Sequence, residues 1–383
     1  MIYLDNAASS WPKPPGVAEA MMEAVRDYGA NPGRGSHELA MRASRTLFQA
    51  RNRLAQLFGI KNPNDIVFTM NTTMALNLAI KGWVRPGDHV VCTAVEHNAV
   101  RRPLEYLKKE KQIEVTYVQT DQAGILNMDN LKHAIRSNTR LIVCTHSSNM
   151  LGTILPVADI ATLARSKGIR LLVDAAQTAG VLPINVERMG IDMLAFPGHK
   201  GLLGPQGTGG LYISPEIELT PLLYGGTGSQ SESADQPLVR PDRYESGTPN
   251  TPGIAGLNEG VRYVLNETVE RIHEKEWRLT QRMMEGLRSV PGIRILGPDP
   301  DIVRTGIVSF TLPNVSSSEA AFVLDREYHI AVRAGYHCTP LAHTCAGTLE
   351  TGAVRASLGV FTTEEEVDAL VQAVREIERR FRG

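Results

Sequence analysis

Leu171-Leu172-Val173-Asp174-Ala175-Ala176-Gln177 opens a stretch that decides the fold. It continues through Asp192-Met193-Leu194-Ala195-Phe196-Pro197-Gly198-His199-Lys200 and closes on Gly204-Pro205-Gln206-Gly207-Thr208-Gly209-Gly210. Leu171 to Val173 is a short apolar run ending on an acid, and Met193 to Phe196 is a second one ending on Gly-His-Lys. Such runs read as buried parallel strands, and α/β sheets hold ligands at the carboxyl ends of their strands. The residues between the runs leave room for a crossover. Asp174 and Lys200 are therefore expected at neighbouring strand ends, facing one cavity. The glycines after Lys200 allow a sharp turn and close backbone approach.

An acid and a lysine so placed suit pyridoxal 5'-phosphate (PLP). The amine condenses with the cofactor aldehyde, and the acid keeps the pyridine nitrogen protonated so that the ring can accept electrons. On these two residues alone, an ion pair or two unrelated solvated side chains is the commoner outcome.

The 383 residues are too many for one core, so two domains are expected. An apolar content of 42% and a charged content of 21% describe an ordinary globular chain. The net charge of −1 comes without a basic patch or an acidic tail, which argues against a nucleic-acid partner. Met1-Ile2-Tyr3-Leu4-Asp5 lacks the basic and apolar regions of a signal peptide, and no apolar run approaches the ~20 residues a membrane helix needs. Four cysteines (Cys92, Cys144, Cys338 and Cys345) are too few for a disulfide framework, so a reducing cytoplasm is the expected compartment.

Strands and helices alternate along the first two-thirds of the chain. Strands are expected at Tyr3–Ala8, Asp65–Thr69, His89–Thr93, Val115–Gln119, Leu141–Thr145 and Leu211–Ile213. Helices are expected at Val17–Tyr28 and His37–Phe58, separated by the breakers of residues 31–35. The alternation implies an α/β architecture with a mostly parallel, doubly wound sheet. Pro221–Pro241 reads as a long loop, and Ile254 to about Val290 as one helix. A smaller α+β unit follows, with strands at Ile307–Leu312 and Ile330–Arg333 and helices at Ser316–Glu327 and Thr363–Arg382. The large domain is placed at residues 16–258, and the small one at 1–15 with 259–383.

Two further segments bear on chemistry. Asn71-Thr72-Thr73-Met74 starts a helix after a strand, where free N–H groups and the helix dipole suit a phosphate; on these residues alone ordinary capping by Thr72 or Thr73 is the commoner outcome. Arg333-Ala334-Gly335-Tyr336-His337-Cys338 ends a strand and puts a cysteine beside two basic residues. Positive neighbours favour the thiolate, which is the nucleophile. A lone cysteine is more often inert.

Asp174-Ala-Ala-Gln177, Gly198-His199-Lys200 and Gly204-Pro205 together resemble the class V aminotransferase group of fold-type I PLP enzymes. Within it they look like the cysteine desulfurases and selenocysteine lyases. The resemblance runs from Tyr3-Leu4-Asp5-Asn6-Ala7-Ala8 to Val354-Arg355-Ala356-Ser357-Leu358. It implies a large PLP domain, a smaller α+β domain and a homodimer. It also implies that His97 stacks on the pyridine ring and relays protons. Thr72, Thr73, Asn149, Asp174, Gln177, His199 and Lys200 would hold the cofactor, and Thr248 would reach the partner's cofactor phosphate. Asn149 and Arg355 would bind the substrate carboxylate; the planar arginine fork gives two parallel charge-assisted hydrogen bonds. Arg-x-Gly-x-His-Cys matches the loop that carries a persulfide in these enzymes, so Cys338 would take sulfur from L-cysteine, release alanine and pass the sulfur to an acceptor protein. In another class V enzyme, an aminotransferase or a lyase, Cys338 would be incidental. No metal is implied. The sequence departs from the group's pattern at Pro197, where a serine hydroxyl is more usual, and at Asn71 and Met74. His199, Thr73 and Thr248 would then carry more of the phosphate.

Overall fold

The computed structural model describes residues 1–33 and 35–382; Arg34, within the loop expected at residues 31–35, lies outside them. The chain begins with a two-residue strand, β1 (Ile2–Tyr3). Seven strands then build one sheet: β2 (Ile66–Thr69), β3 (His89–Thr93), β4 (Glu114–Val118), β5 (Thr139–Thr145), β6 (Arg170–Asp174), β7 (Met193–Pro197) and β8 (Gly209–Ile213). A second sheet is made from β9 (Arg294–Leu296), β10 (Ile307–Thr311), β12 (Arg333–Gly335) and β13 (Ala353–Ser357), and β11 (Ile330–Ala331) pairs in parallel with β1.

The large sheet has the order β2-β8-β7-β6-β5-β3-β4. Pairing is parallel from β7 to β4, and β8 runs antiparallel to both its neighbours. Alternate residues of the central strands point to opposite faces, as the pleat requires. Val91, Ile142, Leu171, Val173 and Leu194 join one apolar cluster, while Val90, Leu141, Val143, Leu172 and Met193 join another. Both faces are thus covered, which is why these strands read as continuous apolar runs. Each such side chain contributes about 1.5–3 kcal/mol on full burial. The second sheet and its helices enclose a third cluster that includes Leu279, Met283, Phe310, Leu324, Leu370 and Val374.

Strand order reverses between β3 and β5: β4 lies outside β3, and β6 and β7 lie on the other side of β5. In open α/β sheets such a switch point opens a crevice at the carboxyl ends of the strands.

Three expected elements differ from the structure. The strand expected at Ile330–Arg333 is split at Val332 into β11 and β12, which join different sheets. The helix expected from Ile254 to Val290 is two helices, Thr251–Glu267 and Val269–Arg288. Thr268 breaks them by adopting φ +65°, and its hydroxyl accepts from Arg271 N at 3.4 Å to cap the second. The strand expected over Tyr3–Ala8 is confined to Ile2–Tyr3, followed by a single bridge between Asp5 and Ser357.

Candidate active site

Four strand ends meet at the switch-point crevice. β3 leads to His97, β5 to Asn149, and β6 ends on Asp174; Lys200 follows β7 by three residues. Their side chains line one cavity with Thr72, Thr73, Gln177, His199, Arg333, His337, Cys338 and Arg355. The small domain supplies the last four, so the cavity lies between the two sheets. Thr248 is not among them. It lines a separate cavity with Met70, Met74 and Asn250, on a loop anchored by Glu245, whose carboxylate grips both Nη atoms of Arg51 at 2.7 and 2.9 Å.

The turn that presents Lys200 is fixed by close backbone approach. A Cβ on Gly201 would lie 2.5 Å from Ala179 O, and one on Gly180 (φ +82°) would lie 2.3 Å from Gly201 O. Only glycine fits at both places. Burial pushes the Lys200 amine down to about 8; Asp174 opposes that shift, and Arg355 and Arg333 add to it. Asp174 is buried, and burial raises its carboxyl to about 6 against a hydrogen bond from Ala176 N (2.9 Å) and the charge of Lys200.

At the start of the helix Thr72–Trp83 the cap is Asn71, whose Oδ1 accepts from Met74 N at 2.9 Å. The capping role expected of Thr72 or Thr73 is therefore taken by their neighbour. Thr72 Oγ1 is buried with no partner among the described residues, and so is Nδ1 of His199. Two unpaired buried polar atoms beside a helix N-terminus are what a phosphate would satisfy. The residues present fit PLP: a lysine, a buried acid, a phosphate-sized anion site and an imidazole share one cavity.

His97 caps the helix Asn98–Glu110, with Nδ1 accepting from Ala99 N at 3.0 Å. The ring proton of the neutral form is thus on Nε2. Burial, helped by Lys200, Arg333, Arg102 and Arg355, holds its pKa down near 4. His199 is similarly held near 4 by burial, then by Lys200 and Lys13. Gln177 donates from Nε2 to Ala7 O at 3.1 Å.

Arg355 is buried on β13. It donates from Nη1 to Asn149 O and from Nη2 to Asp5 Oδ1, both at 2.9 Å, and its Nε has no partner. Asn149 Nδ2 donates to His337 O at 2.7 Å. Cys338 is exposed, whereas Cys92 and Cys144 are buried and burial drives both thiols well above their ordinary value. His337 and Cys338 both have left-handed backbone, at φ +50° and +59°, a conformation that costs about 1–2 kcal/mol per non-glycine residue.

His337 does not supply the positive charge expected of it. Burial, with Arg355 next, pushes its pKa to about 3, so the ring is neutral at physiological pH. The fixed cations around Cys338 are Arg333 and Arg355. Two residues escaped the sequence reading. Asp5 pairs with Arg355 across 350 positions. Glu96 is buried, its Oε1 accepting from Thr93 Oγ1 at 2.5 Å and Thr145 N at 2.6 Å, so it ties the ends of β3 and β5 beneath the crevice. An acid three residues past an apolar strand, next to His97, was the available signal.

The family described as aminotransferase class-V matches residues 2–370. A probable cysteine desulfurase of Methanothermobacter thermautotrophicus is 37% identical over 98% of this chain and 94% of its own length. The cysteine desulfurase of Haloferax volcanii is 35% identical over 98% of this chain and 88% of its own length. The apo structure of a cysteine desulfurase from Thermococcus onnurineus NA1 superposes with a TM-score of 0.92 at 34% identity, covering 99% of this chain and 95% of that one. With a fold-type I architecture, a switch-point cavity bearing Asp174 and Lys200, and full-length similarity of this kind, the chain belongs to the class V aminotransferase family, in its cysteine desulfurase group.

Proposed function

We propose that the protein is a PLP-dependent cysteine desulfurase that moves the sulfur of L-cysteine onto Cys338, leaves L-alanine, and hands the sulfur to an acceptor protein. The observation that carries this reading is the exposed Cys338 on the wall of the cavity that also holds Lys200, Asp174 and Arg355. Bound PLP supplies the electron sink that makes a Cα proton removable and a C–S bond breakable.

The chain's own residues do the rest. Thr72, Thr73 and His199 would hold the phosphate, and Thr248 would be contributed to a partner subunit's site. Asp174 would remain ionised to keep the cofactor nitrogen protonated, and Gln177 and Asn149 would help hold the cofactor. Arg355, with Asn149, holds the substrate carboxylate. Lys200 Nζ, with its amine lowered to about 8, takes the Cα proton and returns one to Cα before L-alanine leaves. His97 holds a transferable proton on Nε2. The Cys338 thiolate attacks the substrate sulfur: an S–S bond forms, the Cβ–S bond breaks with its electron pair left on carbon, and that carbon takes a proton to become the alanine methyl. Arg333 and Arg355 line the same cavity as Cys338 and would neighbour the persulfide once formed.

The reading includes a homodimer and a cytoplasmic enzyme with domains at 16–258 and at 1–15 with 259–383. The dimer is supported by Thr248, which lines a cavity separate from its own chain's Lys200 cavity, and by exposed Met22, Val25 and Phe48 on the first two helices. All four cysteines are free, as a reducing compartment would keep them. No helix among the described residues is long and apolar enough to cross a membrane.

The test is a pulse of L-cysteine on PLP-loaded protein, followed by intact mass and peptide mapping. One extra sulfur is expected on Cys338, with alanine as co-product. Cys338→Ser is expected to bind PLP and cysteine normally yet release little sulfide. Undiminished turnover in Cys338→Ser would replace this reading with another class V reaction.

A further inference from the structure

The Cys338 loop rests on a pair of buried imidazoles that the reaction above does not use. His337 and His343 are stacked, with centroids 5.7 Å apart and planes 9° from parallel. His343 belongs to the short helix Pro340–Ala346, is fully buried, and has the ring of Tyr336 edge-on against it at 5.6 Å. His337 Nε2 lies 3.3 Å from Arg333 O, and its Nδ1 lies 3.4 Å from His343 Nε2. His343 Nδ1 lies 2.8 Å from Thr348 Oγ1.

Protons can be placed along this chain from one fixed point. A carbonyl oxygen only accepts, so His337 Nε2 carries a hydrogen for Arg333 O. The neutral His337 ring then has a lone pair on Nδ1, and His343 must donate to it from Nε2. That leaves His343 Nδ1 as an acceptor for the Thr348 hydroxyl. The result is a directed relay, Thr348 to His343 to His337 to the Arg333 carbonyl, with each ring held in one tautomer by the next group.

The relay ends at the residue that sets the geometry of Cys338. His337 and Cys338 are consecutive left-handed residues without a glycine. Such backbone persists only where surrounding contacts over-determine it. On the cavity side Asn149 Nδ2 donates to His337 O at 2.7 Å and Asn98 N donates to Cys338 O at 2.8 Å. Among the described residues the His337 ring has two hydrogen-bond partners, His343 and Arg333 O.

We propose that His343 is a positioning residue for the sulfur step: by donating to His337 Nδ1 it locks the His337 ring, and with it the strained backbone that aims Cys338 into the cavity. His343 touches neither substrate nor cofactor. The inference rests on Cys338 being the sulfur carrier.

The test compares His343→Leu, His343→Gln, Thr348→Val and Cys338→Ser as PLP-loaded full-length proteins. Visible absorbance, half-saturation by L-cysteine in the spectral titration, and the single-turnover rate of persulfide formation are read for each. His343→Leu keeps the bulk and loses the donor; its spectrum and half-saturation should match wild type while persulfide formation falls roughly ten- to hundred-fold, the scale expected of a misplaced reacting group. His343→Gln restores an N–H near the Nε2 position and should recover most of the rate. Thr348→Val, which frees the far end of the relay, should show a smaller loss of the same kind. The inference is overturned if His343→Leu forms persulfide at the wild-type rate, or if it loses PLP and cysteine binding in step with the rate and His343→Gln recovers nothing. Normal turnover in Cys338→Ser would instead overturn the sulfur-carrier reading, a separately recognisable result.

Discussion

The reactivity of Lys200 toward PLP should titrate far below the range of an ordinary lysine. Burial lowers its amine to about 8 from 10.5. The sign follows directly: only the neutral amine attacks an aldehyde, so attachment is slow in acid and rises as pH passes the lysine pKa. At pH 7.5 a group with a pKa near 8 is about one-quarter neutral, against roughly one part in a thousand at the ordinary value, a gain of about two hundred-fold. Two substitutions should shift the midpoint in opposite directions. Asp174 raises the Lys200 pKa, so Asp174→Asn should move the midpoint lower; Arg333 lowers it, so Arg333→Gln should move it higher. The assay is the growth of the visible absorbance band after PLP at saturating concentration is mixed with stripped protein between pH 6 and 10. Lys200→Ala is the blank. A midpoint near 10, or movement in the same direction in both variants, would refute the electrostatic account of this site.

Two further outcomes follow from named contacts. Arg355→Lys keeps the charge but cannot serve Asn149 O, Asp5 and a substrate carboxylate from one ammonium. With charge-assisted bonds each worth about 1.5–3 kcal/mol, the cysteine concentration for half-maximal rate should rise roughly ten- to hundred-fold, with the PLP spectrum intact; unchanged cysteine dependence would move the carboxylate site elsewhere. Glu96 and Glu276 are buried carboxyls raised to about 8, in each case mainly by burial. A folded pKa above the unfolded value of about 4.5 gives stability that is full below pH 4.5 and lost as pH rises to 8, on the order of a few kcal/mol. Urea unfolding of the stripped protein should show Glu276→Gln gaining stability relative to wild type as pH rises from 5.5 to 8.5, because the variant lacks the carboxyl that must ionise in a buried place; a difference between the two that does not change over this range would show that its carboxyl stays ionised in the fold.

Much of the large sheet was legible because its central strands are buried on both faces, so apolar runs such as Leu171–Val173 could be read without knowing their partners. The direction of β8 was not. Gly209–Ile213 looks like any other apolar run, and its antiparallel placement between β2 and β7 depends on the return path of the chain rather than on its residues. The break at Thr268 was hidden for a related reason: a threonine at φ +65° carries no glycine to announce it.

The cavity shows where charge can and cannot be read from sequence. Asp174 and Lys200 could be placed because each closely follows a strand, and strand ends converge. Charge state is another matter, because burial sets it. His97, His199 and His337 look like three cations in the sequence, yet burial holds their pKa values near 4, 4 and 3. Arg333 and Arg355 remain, and a guanidinium stays protonated in proteins. Arg355 has one carboxylate neighbour, Asp5, which takes only Nη2 and leaves Nε buried without a partner. At neutral pH the cavity therefore combines two permanent positive charges, a lysine still mostly protonated and one buried acid. That balance is incomplete until anions enter. A phosphate at Thr72 and His199 and a carboxylate at Arg355 are the two that the unpaired atoms there would satisfy, and a PLP enzyme acting on an amino acid brings one of each.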